Sequence, residues 1–433
     1  MALLLLARPG NSGLFVELSP REEIGDEFDA GELDVEIDLS DPAIESSAEL
    51  QLTETVQIDV SESLAEHTAT LGETPAAELP PIRMALSGRQ AGMKSSLLAA
   101  YGGTASTEQA VMEGLAWLER NQDSKTALWS LSGKFADGVN RNNPEAATAL
   151  ALIAFQGAGY TPQSDSRDRF TRVVARAWPA LLERQQANGN FFNTGTTHGT
   201  MYTQALSTIA ICELYGMTGD QQYREPAQKA SDYCVETQSE GGGWRYFPGQ
   251  GGDLSVTGWF VMALQSAQMA GLNVPSETLT RISAFLDTVS RDGGSQYTYT
   301  PGQGRRLSMT AEGLLCRQYL GWTHDDRRLV RGADLLVKNL PDWENRNAYY
   351  WYYAAQVCHH MEGRHWRLWN ARMRELLPAH QVKKGRERGS WDPNGDPGKV
   401  QGGRHFVTCL SIYMLEVYYR HLPIYQLELL SGS

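Results

Sequence analysis

Ala146-Ala147-Thr148-Ala149-Leu150, Tyr202-Thr203-Gln204-Ala205-Leu206, Val256-Thr257-Gly258-Trp259-Phe260, Met309-Thr310-Ala311-Glu312-Gly313, Tyr349-Tyr350-Trp351-Tyr352-Tyr353 and Val407-Thr408-Cys409-Leu410-Ser411 are six versions of one stretch, apolar and rich in small residues. They recur at intervals of about fifty residues, within the range of repeat architectures. Five of the six keep a threonine at one place, residues 148, 203, 257, 310 and 408, and the fifth puts a run of aromatics there.

Before each of these stretches lies a more polar, amphipathic helix. The first, Glu108 to Gln122, sets Val111, Leu115 and Leu118 at helical spacing, with Thr104, Ser106 or Thr107 as candidate N-cap. Each amphipathic helix runs into a polar, Gly-containing loop that usually ends in an aromatic. Examples are Gln122 to Trp129, Gln186-Ala187-Asn188-Gly189-Asn190-Phe191, Gln238-Ser239-Glu240-Gly241-Gly242-Gly243-Trp244 and Gln381 to Trp391. A helix that is apolar all round is enclosed, whereas one with a single apolar stripe lies outside it. The six apolar helices therefore form an inner ring and the six amphipathic ones an outer ring. A linear stack of repeats needs polar caps at its ends, yet the last unit, Val407 to Tyr419, is as apolar as the others. Closure removes the exposed ends. The expectation is an all-α fold, an α6/α6 toroid of six helical hairpins over residues 104–426. Residues 1–85 are expected to be an acidic, mostly disordered segment, 86–103 a linker and 427–433 a tail.

The loops resemble the Gln-Trp repeats of squalene and hopene cyclases, and the domain looks like the α/α toroid of the terpene-cyclase and protein-prenyltransferase superfamily. In those proteins Gln and Trp side chains tie each outer helix to the next unit. Copies four and five, Ser290-Arg291-Asp292-Gly293-Gly294 and Asn339-Leu340-Pro341-Asp342-Trp343, are degenerate. Such loops imply fold, and function has to come from the centre of the ring.

All six inner helices run the same way, so their N-termini gather at one rim and favour an anion there. Cavity residues are expected from the first turns and the loops before them. Trp259, Tyr350, Tyr353, Trp244, Tyr246, His198 and Tyr202 are the candidate ligand-cavity residues. Aromatic walls suit an isoprenoid chain, and a ring face steadies a cation by about 2 kcal/mol or more once desolvated. The competing reading of any one ring is core packing.

The resemblance implies two chemistries, and the chain matches each in part. Hopene-type cyclases protonate an alkene with an Asp-x-Asp-Asp motif. Registered on Thr257 it falls at Asp253-Leu254-Ser255-Val256, where only the first Asp is present and Ser255 stands at the proton donor's place. Protein prenyltransferases hold zinc with an Asp-x-Cys pair and a His. His405 stands at the His position, but Arg346-Asn347-Ala348 supplies no ligand. Asp253 and His405 are the candidate catalytic residues, with helix capping as the structural alternative for Asp253. No metal and no cofactor are expected. His359 and His360, near the far end of their helix, read as hydrogen-bonded packing or rim residues.

The charge is divided. Residues 1–80 hold 19 acidic and two basic side chains, while the other 353 carry about +4 of the whole-chain −13. The nearly neutral body argues against nucleic-acid binding, and the acidic segment is a candidate for a protein partner. The five cysteines, 212, 234, 316, 358 and 409, form no CxxC pair and read as reduced thiols of a cytoplasmic protein. No run of about 18 apolar residues is long enough to span a membrane. The functional expectation is an isoprenoid-related enzyme or binder using the central cavity. The alternative is a non-catalytic scaffold with an acidic partner-binding tail.

Overall fold

The structure is a computed structural model, and it describes residues 86–192 and 199–425. The acidic segment, the tail and His198 lie outside the described residues. Among the described residues thirteen helices of ten residues or more follow one another: α1 Ala91–Ala100, α2 Ala105–Asn121, α3 Pro144–Gly157, α4 Arg169–Leu182, α5 Thr200–Thr218, α6 Arg224–Glu236, α7 Leu254–Met269, α8 Ser276–Val289, α9 Leu307–Tyr319, α10 Arg327–Lys338, α11 Ala348–Met361, α12 Gly363–His380 and α13 Gly403–Arg420. From α3 to α13 each odd-numbered helix packs on the next, and α13 returns to α3. Outside that ring α12 packs on α2 and closes the second one. The expected toroid is present, with the polar faces outermost. Among the described residues the named strands are one antiparallel pair, Ser290–Arg291 with Gln296–Tyr297.

Local sequence fixes the entry points of these helices. Thr104 and Thr107 form a reciprocal capping box on α2. Asn143 caps α3, where Pro144 opens the first turn. Asp253 caps α7 and Asn347 caps α11.

The periodic threonines join the rings. Thr148, Thr257, Thr310 and Thr408 each accept, on Oγ1, the backbone N–H of the aromatic that ends the preceding loop. The donors are Trp129, Trp244, Tyr297 and Trp391, at 3.0, 3.0, 3.1 and 3.2 Å. In the second unit the register shifts by one, and Gln204 Oε1 takes the Phe191 N–H at 2.9 Å. The tryptophan indoles then donate back to the outer helices, at Leu118, Cys234 and Leu377 carbonyls. Gln122, Gln185, Gln238 and Gln381 bridge from their own loops to carbonyls of the next outer helix, at Val173, Pro226, Thr278 and Ala110. The second of these is Gln185, one residue before the Gln186 that opens the loop as quoted above. These bonds satisfy helix-end and loop groups that burial would otherwise strand.

Residues 86–103, which read as a linker, contain α1, packed on α13. Arg89 is 3% exposed. Its Nη1 meets Glu213 Oε2 at 2.8 Å, and its Nε donates to the Arg420 carbonyl. Arg420 also pairs with Glu213 and Glu416. This buried network closes the C-terminal end of the inner ring.

Candidate functional site

Two residues on either side of the periodic threonine is about 200° round a helix at about 100° per residue. A side chain there points away from the loop that the threonine holds, into the ring. Registered on Thr148, Gln204, Thr257 and Thr408, the positions two before are Ala146, Tyr202, Ser255 and Phe406. The positions two after begin Leu150, Leu206 and Trp259. All seven line one central cavity, together with Leu131, Tyr349, Gln401 and Gly402. The same register places Glu312 two residues after Thr310.

The cavity wall is apolar except for the Gln401 amide and a row of hydroxyls. Tyr202 Oη lies 3.0 Å from Ser255 Oγ, which lies 3.1 Å from Tyr349 Oη. The Tyr349 phenol is 3.0 Å from both carboxyl oxygens of Glu312. Glu312 is fully buried. Burial pushes its carboxyl well above the usual carboxylate range, against the opposing pull of the Tyr349 hydrogen bond and of the nearby Tyr353 phenol. Burial likewise raises the Tyr202 and Tyr349 phenols well above their ordinary value. At neutral pH the row therefore carries neutral hydroxyls.

The cavity holds about 30 Å³, room for two or three waters at about 10–15 Å³ each. Phe406 stands at its lining beside Gly402 and Gly403, the latter at φ 63°.

Of the candidate cavity residues, Trp259 and Tyr202 line this space. Trp259 stacks on Tyr352 at 5.7 Å and meets Tyr353 edge-on at 6.0 Å. Tyr353 packs behind that wall, against Tyr349 and Tyr352. Tyr350 points the other way because it occupies the threonine register. Its phenol donates to the Leu336 and Asn339 carbonyls at 3.3 and 2.9 Å, the work that an indole does in units one, three and six. Trp244 is such an indole, stacked on Phe260. Tyr246 Oη lies 2.7 Å from Tyr299 Oη, with Arg245 over its ring.

The two candidate catalytic residues are not brought together. Asp253 is buried. Its Oδ1 accepts the Val256 N–H at 2.8 Å, and its Oδ2 faces Arg245 at 3.5 Å. It serves as the N-cap of α7. His405 is three residues before Thr408, which turns it from the cavity toward α2. It packs near Trp117 and Phe135, and Nε2 bonds to the Ala147 carbonyl at 2.9 Å. Burial lowers its pKa to about 4. Among the described residues no group of three or more His, Cys, Asp or Glu side chains is arranged to hold a metal ion. His359 and His360 are fully buried, and neither ring nitrogen of either has a hydrogen-bond partner among the described residues. The expectation that they are hydrogen-bonded is corrected: aromatic faces surround them instead, Tyr101 and Trp366 for His359 and Tyr319 for His360.

Glu312 is the site residue that sequence reasoning missed, while Ser255 was reached only through its register with the proton donor's place. The signal was a carboxyl in an otherwise apolar helix, in the same register as Trp259.

No family model matches the chain, and no curated protein matches it. Solved structures do. A cellobiose 2-epimerase from Spirochaeta thermophila superposes with a TM-score of 0.55 at 13% identity, over 76% of this chain and 98% of that one. The GH76A α-1,6-mannanase of Salegentibacter sp. HEL1_6 gives 0.52 at 12%, over 72% and 98%. A variant of the type II terpene cyclase MstE from Scytonema gives 0.49 at 12%, over 73% and 97%. At these identities likeness reports fold and not activity. The chain is an α/α-toroid protein, and among the described residues no helix is long and apolar enough to cross a membrane.

Proposed function

We propose that this toroid binds an apolar, isoprenoid-like molecule whose end enters the central cavity from the rim where the inner helices begin. The observation that carries the reading is the cavity wall itself: Leu150, Leu206, Trp259 and Phe406 with the Tyr202–Ser255–Tyr349 hydroxyls set among them. Apolar walls with a few convergent polar groups are the usual form of a small-molecule site. Binding, not turnover, is the activity proposed, because Asp253 and His405 are engaged in structural bonds. With about 30 Å³ enclosed, entry requires Phe406 to swing aside on Gly402 and Gly403.

That small volume favours a second reading, a non-catalytic scaffold whose ring centre is simply filled. Thermal shift decides between them. The ligands are farnesyl and geranylgeranyl diphosphate and squalene, with a straight-chain alkyl control, on the wild type and on Ala146→Leu, which fills the cavity. A bound isoprenoid at a hundredfold excess over its dissociation constant adds about 2.7 kcal/mol, and Ala146→Leu should abolish the shift. No isoprenoid shift in the wild type would leave the scaffold.

A further inference from the structure

Among the described residues seven glutamines are buried. Six of them, Gln156, Gln204, Gln238, Gln318, Gln356 and Gln381, donate from Nε2 to a carbonyl of the protein. The seventh, Gln401, is 4% exposed and lines the central cavity, and its Nε2 has no hydrogen-bond partner among the described residues. A buried donor left unpaired is costly and uncommon in a folded protein. Here it lies in the wall of an otherwise apolar space. Whatever displaces water from that space must return a bond to the amide, or affinity is lost.

The main chain around Gln401 is held independently of its side chain. Arg141 donates to the Gln401 and Val400 carbonyls at 3.2 and 3.4 Å. Asp396 Oδ1 accepts the Gly398 N–H at 2.7 Å, where the turn Gly398–Gln401 begins. The neighbouring cations are committed to protein acceptors. Arg404 pairs with Asp137 at 2.6 Å and Asp392 at 3.4 Å, and Lys399 Nζ donates to Asn394 Oδ1 at 2.6 Å. A diphosphate buried here would need unspent cations to offset its desolvation. A single uncharged oxygen needs only the amide. Gln401 precedes α13, so that oxygen would sit at the rim, with Leu150, Leu206 and Trp259 further in.

We propose that Gln401 is the specificity-determining residue of this cavity. Its amide N–H donates to the one uncharged oxygen, alcohol or carbonyl, at the head of an isoprenoid-like molecule whose hydrocarbon end points inward. The inference rests on the binding reading above and names the polar group of its ligand.

The test uses four ten-carbon probes: geraniol, myrcene, geranylamine and geranyl diphosphate. Affinities are measured on the full chain and on Gln401→Met. Geraniol should bind the wild type about tenfold more tightly than myrcene, the factor that one buried hydrogen bond supplies. It should also bind at least as tightly as the diphosphate. Geranylamine, an ammonium at neutral pH with no lone pair to offer, should bind no better than myrcene. Gln401→Met should bind geraniol and myrcene alike, with myrcene no weaker than in the wild type. Three results overturn the inference and leave the binding reading standing: geraniol and myrcene binding the wild type equally, the diphosphate or the amine binding best, or the geraniol preference surviving in Gln401→Met. If no probe binds, both fail. A second measurement needs no ligand. Gln401→Met breaks no side-chain hydrogen bond from Nε2, so it should melt no lower than the wild type. A melting temperature several degrees lower would show that the amide holds the fold, and would overturn its assignment to a ligand.

Discussion

A β-carbon on Gly258 would stand 2.0 Å from Glu312 Oε1 and 2.6 Å from Glu312 Cγ. Gly258 thus makes the space that a buried carboxyl of the neighbouring helix occupies. The device recurs at the other end of the ring, where a β-carbon on Gly157 would meet Glu416 Oε2 at 2.0 Å. In an exposed helix interior, Gly→Ala stabilises by about 1 kcal/mol. Here Gly258→Ala should instead cost about 1–3 kcal/mol through overpacking. Denaturant unfolding checks this, and a gain in stability would show that the carboxyl is not confined.

Thr257 holds the Trp244 N–H in a fully buried loop end. Thr257→Val keeps the shape and strands that donor, so a loss of about 1–3 kcal/mol is expected. Tyr350→Phe removes the bonds to Leu336 and Asn339 and should cost about as much. A neutral outcome at both positions would mean that the periodic polar groups do not join the rings.

These two positions show what the sequence made legible. The threonine series, the Gln-Trp loops and the contrast in polarity between alternate helices were enough for twelve helices in two rings, because burial and helical period are written locally. Which side of each inner helix faces the centre was also present, at two residues from the threonine. It was overlooked because an apolar helix shows no polar face to mark its orientation. Tyr350 was therefore placed in the cavity, and Glu312 went unremarked. His405 looked equivalent to the cavity residues by its place before α13, yet three residues from Thr408 it faces α2. The role of Arg89 depends on Glu213 and Arg420, more than a hundred residues away, which no local pattern discloses.

Arg89 makes residues 86–90 part of the body. Deleting residues 1–80 should leave the melting temperature unchanged, since that segment is expected to add little core. Arg89→Met should cost about 1–3 kcal/mol, because it takes one of two cations from the buried Glu213 carboxylate and the donor from the Arg420 carbonyl. Burial alone would raise the Glu213 carboxyl, but Arg420 and Arg89 together hold it below its ordinary value. A large loss on deleting 1–80, or none in Arg89→Met, would contradict this boundary.

His360 gives a pH signature. Burial lowers its pKa to about 3, against about 6.5 in an unfolded chain. The unfolded state therefore binds the extra proton as pH falls below about 6.5, and the native state does not until about 3. Stability linked to this group is complete above the unfolded value and is lost as pH falls toward the folded one. Relative to His360→Leu, the wild type should lose about 2 kcal/mol between about pH 6.5 and 5. Parallel pH profiles for the two proteins would show that the imidazole finds a proton-accepting partner.

The most direct test of the central claim is photo-crosslinking with a geranyl or farnesyl probe bearing a diazirine at its hydrocarbon end, read by peptide mass spectrometry. Binding at the ring centre predicts label on peptides carrying Tyr202, Leu206, Trp259 or Phe406, competed by unlabelled isoprenoid and lost in Ala146→Leu. Label confined to the outer helices, or none that competes, would contradict a ligand in the cavity.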